Sequence, residues 1–174
     1  MKPYHRLLCA IAGLLAVSSG WAAEPAAKSD GRAEVTFAHP EKFADVRSYY
    51  SENDKDRDAI LDQLKEYIVL KSKTYVPEGQ KLLVTVTDVD MAGDFEPWRG
   101  PAMQDVRVVK DIYPPKIDLE FKLVDAKGAV LKEGKRQLRD LAFQMKISIN
   151  RDDELRYEKA LLDDWLRDDF PRQK

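Results

Sequence analysis

KIDLEFKLVD, residues 116–125, alternates without a break. Ile117, Leu119, Phe121 and Leu123 share one side, and Asp118, Glu120 and Lys122 share the other. A period of two puts successive side chains on opposite faces of a strand. One face that meets a core and one that meets water favour an antiparallel sheet. AKG, residues 126–128, then reads as a hairpin turn. AVLKEGKRQLRD, residues 129–140, is its return strand, with Val130 and Lys132 pairing back and Gly134 marking a bend or bulge. Upstream, LLVTVTDV, residues 82–89, points Leu82, Val84 and Val86 one way and Leu83, Thr85 and Thr87 the other. MQDVRVVKDIY, residues 103–113, supplies a further strand around Val106 and Val108, ended by Pro114 and Pro115. AEVTF, residues 33–37, is the first strand, with Val35 and Phe37 on its buried side.

Two stretches carry the other period. From Asn53 or Asp54 to about Lys73, the residues Ile60, Leu61, Leu64, Tyr67 and Ile68 form an apolar stripe at helical spacing, while Asp62, Lys65 and Glu66 face outward. Asp56 and Asp58 suit the positive end of that helix. Pro77 and Gly79 break the pattern. Near the C-terminus, Asn150, Asp152 or Asp153 can cap a helix running to about Phe170, with Leu155, Leu162, Trp165 and Leu166 on its buried side. LAFQMKI, residues 141–147, is ambiguous between a short helix and an extended run. The order β-α-β-β-β-β-α predicts an α+β domain: a mainly antiparallel sheet of four to five strands with two main helices packed on one face.

The chain begins MKPYHR, followed by the uncharged run LLCAIAGLLAV and then SSGWAAEP. That is the three-part form of a secretory signal peptide, and the apolar run is too short to span a bilayer. Residues 1–22 are therefore expected to be removed by cleavage after Ala22. A flexible leader at 23–32, one domain at 33–170 and a short tail at 171–174 would remain. Cleavage takes Lys2 and Arg6 from the 29 basic residues and leaves all 31 acidic ones, so the net charge moves from −2 to −4. It also removes Cys9, the chain's only cysteine. An exported domain of this length buries a core without disulfides, and the periplasm tolerates one. The expected location is periplasmic or secreted, with no transmembrane segment after cleavage. Lys and Arg are interleaved with Asp and Glu almost everywhere, which argues against a nucleic-acid partner.

Several chemistries fail on residue inventory. After cleavage no cysteine nucleophile remains, and His39 is the only imidazole base, placed beside Pro40 in a loop. No serine sits in a G-x-S-x-G elbow. Ligands for a structural zinc site do not cluster, and no glycine-rich phosphate loop appears. No cofactor is expected.

The chemistry-bearing stretch is DVDMAGDFEPWRGP, residues 88–101. As an anchored turn, it would use Asp88, Asp90 and Asp94 to hold turn amides and Arg99 to bind one carboxylate, while Phe95 and Trp98 close the end of the sheet. As a recognition surface, it would expose Trp98, Arg99, Tyr113 and Phe95 together, since Trp, Tyr and Arg are favoured at interface centres. As a carboxylate-dependent hydrolase or divalent-cation site, it would need Asp88, Asp90, Asp94 and Glu96 to converge, with Asp105 and Asp111 from the next strand. The spacing of the acids is not that of a helix-loop-helix calcium site. Asp163, Asp164, Asp168 and Asp169 read as a solvated acidic face that opposes the helix dipole, with no compensation visible beyond Arg167 and Arg172.

The strings TDVDMAGDFEPWRGP, DVRVVKDIYPPKIDLEFKLVD and LRYEKALLDDWLRDDF resemble the DUF3016 family of exported bacterial proteins, a domain of unknown function. The resemblance covers residues 33–170. It implies a small exported domain in Gram-negative bacteria, and it transfers no catalytic residue. The family's recurrent pieces fall at 88–90, 95–100, 113–115 and 163–165, as marks of membership. The reading favoured is a non-enzymatic periplasmic binding or accessory domain that meets a periplasmic or envelope protein near the 88–101 loop. The hydrolase or cation-binding reading of residues 88–111 stands as the alternative.

Overall fold

A computed structural model describes residues 31–48, 54–146 and 150–172. The expected signal peptide, most of the leader, the cap at Asn53 and Ile147 lie outside the described residues. The chain is an α+β domain whose sheet has the strand order β1-β2-β5-β6. β1 (Ala33–Phe37) runs parallel to β2 (Lys81–Asp90). β2 pairs antiparallel with β5 (Lys116–Val124), and β5 with β6 (Val130–Arg139). Helix α1 (Asp54–Tyr75) is the crossover between the parallel strands, and α2 (Arg156–Asp169) closes the described fold. Both helices lie on one face: α1 against β1, and α2 against β5 and β6.

The core follows from the alternation. Leu82, Val84, Val86, Ile117, Leu119 and Phe121 are buried beneath Ile60, Leu61, Leu64 and Ile68 of α1 and Leu161, Leu162, Trp165 and Leu166 of α2. Phe121, Trp165 and Phe170 form an aromatic triangle with centroids 5.5–5.9 Å apart. Trp165 is thus a packed anchor. The opposite face is polar and laced across strands, with Lys81 on Glu34 at 2.6 Å and Lys135 on Glu120 at 2.5 Å. Arg32, read with the leader, is fixed in the fold: its guanidinium donates to the Lys73 and Val76 carbonyls, capping α1 with a positive charge.

Three local expectations differ from the structure. The strand expected around Val106 and Val108 shrinks to β4 (Arg107–Val108), which pairs with β3 (Asp94–Phe95) in a separate two-stranded ribbon. Val106 faces solvent there and Arg107 turns inward, the reverse of the hydropathic reading. Gly134 marks no bulge; the irregularity lies at Leu123/Val124. Gly134 pairs with Phe121, and a Cβ there would stand 3.2 Å from that ring. The acidic face of α2 is also compensated. Asp163 accepts from the Tyr67 hydroxyl and Lys71, Asp164 pairs with Lys146 and Arg167, and Asp169 holds Lys132 and Arg136.

Candidate functional site

Beyond β2 the chain leaves the sheet and forms a small lobe: the β3–β4 ribbon with the 3-10 turns Pro97–Arg99 and Pro101–Met103. Gly93 makes the departure possible. Its φ of 84° lies in the left-handed region, and a Cβ would stand 2.9 Å from the Val108 carbonyl oxygen. Hydrogen bonds and an ion pair among the described residues hold the lobe to the body. Met91 N–H donates to the Asp45 carbonyl. Arg107 donates to the Arg47 and Gly93 carbonyls and pairs with Asp45 Oδ2 at 2.9 Å. Ala92 N–H donates to Glu158 Oε1 of α2 at 2.7 Å.

Glu158 is 1% exposed. Its Oε2 is buried with no hydrogen-bond partner among the described residues. Burial pushes its carboxyl pKa up, against the pull of the Ala92 N–H and the charges of Arg107 and Arg156.

Within the lobe, Glu96 is the hub. It is 2% exposed. Its Oε1 accepts from Lys110 Nζ at 2.5 Å and from the Tyr113 hydroxyl at 3.2 Å. Arg99 Nε lies 3.2 Å from Oε2, within ion-pair reach although not aligned for a hydrogen bond. The Lys110 hydrogen bond holds the Glu96 carboxyl below the usual range. Burial, then the Glu96 contact, raises the Tyr113 phenol. Glu96 thereby ties the Pro97–Arg99 turn to the chain at 110–113.

The proposed recognition residues divide. Trp98 is 71% exposed at the tip of its turn, and Arg99 beside it is exposed and paired with Glu96. Tyr113 is half-buried, with its hydroxyl on Glu96. Phe95 is 4% exposed. The Arg47 and Arg107 guanidiniums lie 5.4 and 4.7 Å from its ring centroid. Phe95 therefore anchors the lobe from beneath, a correction to its expected place on the surface. The neighbouring Ile112 is exposed.

The carboxylates separate too. Asp88 accepts from Ala44 N–H at 2.8 Å, Asp90 pairs with Lys116 at 2.7 Å, and Asp94 caps the Phe95 N–H at 2.7 Å. A register shift between Val86 and Asp88 separates Asp88 from the regular alternation. Asp105 and Asp111 are exposed. Asp45, Asp90 and Asp94 line one cleft of about 300 Å³ with Arg47 and Lys116. Among the described residues, no group of three or more His, Cys, Asp or Glu side chains is placed to hold a metal ion.

The residues that organise the site were not singled out from sequence: Asp45, Arg107, Lys110 and Glu158. Glu158 carried a readable signal. It sits at helical spacing with Leu155, Leu162 and Trp165, a charge on the apolar stripe. Arg107 carried none, because a two-residue strand has no alternation to read.

A family model described as "Protein of unknown function (DUF3016)" matches residues 31–168. No curated protein and no solved structure matches the chain.

Proposed function

The chain belongs to the DUF3016 family, and on that premise we propose that it is an exported, non-enzymatic binding or accessory domain of the Gram-negative periplasm. It engages a periplasmic or envelope protein through Trp98 and Arg99. The observation that carries this reading is the exposure of Trp98 on a turn whose base is fixed by buried Glu96. Leaving a large aromatic in water on a held turn keeps apolar area available to a partner, at little ordering cost when the partner arrives. Export rests on the three-part N-terminal segment, residues 1–22. No helix among the described residues is long and apolar enough to cross a membrane.

The test is retention of envelope proteins on the immobilised wild-type chain and on W98A/R99A. The expected result is a discrete partner held by wild type and lost by the double variant. Equal retention by both, or no discrete partner at all, contradicts the proposal. The carboxylate reading draws on the cleft shared by Asp45, Asp90 and Asp94. It has less support, because protein groups already answer each of those acids. A rise in melting temperature with added Ca²⁺ or Mg²⁺ would revive it.

A further inference from the structure

β6 is an edge strand of ten residues. Among the described residues its backbone is paired on one side only, to β5. Such an edge is a template for another strand, and lysines on it normally discourage association. Here the charges do something more selective. On the open face of the sheet, Lys135 stands opposite Glu120 and Glu133 opposite Lys122, and both pairs are ion pairs. The sign therefore alternates along the strand and across it.

We propose that β6 pairs antiparallel with β6 of a second copy of this chain, centred on Gly134, so that the two sheets become one. Around a two-fold axis normal to the sheet, residues of equal parity face each other. With Gly134 on the axis, Glu133 meets Lys135 of the second copy, and the reverse contact repeats it. The open face then carries the unbroken row Glu120, Lys135, Glu133 of the second copy, Lys122 of the second copy. Directly opposed unlike charges stabilise a strand pair and like charges oppose it.

On the helix-bearing side the same register sets Lys132 against Arg136, but Asp169 already holds both of these cations in each copy. Registers shifted by two residues fail: one sets Lys135 against itself, the other Glu133 against itself. An acidic peptide from another protein would need no such self-matching pattern.

The experiment is sedimentation of the full chain, in the form in which it accumulates in cells, across a range of concentrations. Wild type is expected to show a monomer–dimer equilibrium. E133K and K135E are each expected to weaken dimerisation at least tenfold, because each opposes like charges twice. An equimolar mixture of E133K and K135E is expected to form the heterodimer, which also shows that both variants are folded. A wild type that stays monomeric throughout overturns the proposal. So does a dimer indifferent to either reversal, or a mixture that fails to associate while circular dichroism shows both variants folded. None of these outcomes depends on Trp98.

Discussion

Two buried glutamates, one at each end of the lobe, respond to pH with opposite sign. The Glu158 carboxyl has a folded pKa raised above its ordinary value of 4.5. Its contribution to stability is fully present below that value and is lost as pH rises through the folded pKa. E158Q should therefore gain on wild type as pH rises, read as melting temperature against pH; parallel curves would show that Glu158 does not titrate. E158A should cost about 1–3 kcal/mol below pH 4.5, since it leaves the buried Ala92 N–H without an acceptor, and the cost should shrink as pH rises. Glu96 is the reverse case, with a folded pKa below its ordinary 4.5. Its contribution is present above 4.5 and is lost as pH falls through the folded pKa. E96Q should flatten the acid limb of the stability curve. E96A should also speed amide exchange across 97–100 and 110–113, the two segments that Glu96 joins. W98A should leave stability within about 0.5 kcal/mol of wild type, as expected for an exposed side chain. A larger loss would mean that Trp98 packs on the lobe.

Among the elements, the long ones were legible in the sequence and the short ones were not. The stripe of Ile60, Leu61, Leu64 and Ile68 and the alternations of 82–89 and 116–125 repeat often enough for a period to show. Burial then follows the period. β3 and β4 have two residues each, and their inward residues, Phe95 and Arg107, are fixed by tertiary ties that no local pattern encodes. Gly134 suggested a bulge because glycine weakens a strand. The tertiary reason is the Phe121 ring beside it, with the Arg136 guanidinium 5.2 Å from the ring centroid. The clearest test at this scale is the aromatic triangle that joins α2 to β5. W165A should cost about 3–5 kcal/mol by chemical denaturation, the range for removing a fully packed large aromatic. A loss under 1 kcal/mol would show that α2 does not depend on that contact.

For the whole molecule, composition excluded chemistries but identified no partner. With residues 1–22 removed as proposed, the inventory argues against thiol, triad, zinc and phosphate-loop readings. It could not tell a buried Phe95 from an exposed one, because both lie in the same acidic loop. If the domain is exported as proposed, with cleavage after Ala22, N-terminal sequencing of the accumulated protein should begin at Ala23. A chain beginning at Met1 in the soluble cytoplasmic fraction would contradict export. The central claim is that the held turn presents Trp98 to an envelope partner. Its most direct test is a photo-crosslinking residue placed at position 98 in living cells and, as a control, at Leu70, an exposed apolar position on α1. A discrete adduct from position 98, lost when E96A is added and absent from position 70, is the expected result; no adduct at 98, or the same adducts from both positions, would contradict the account.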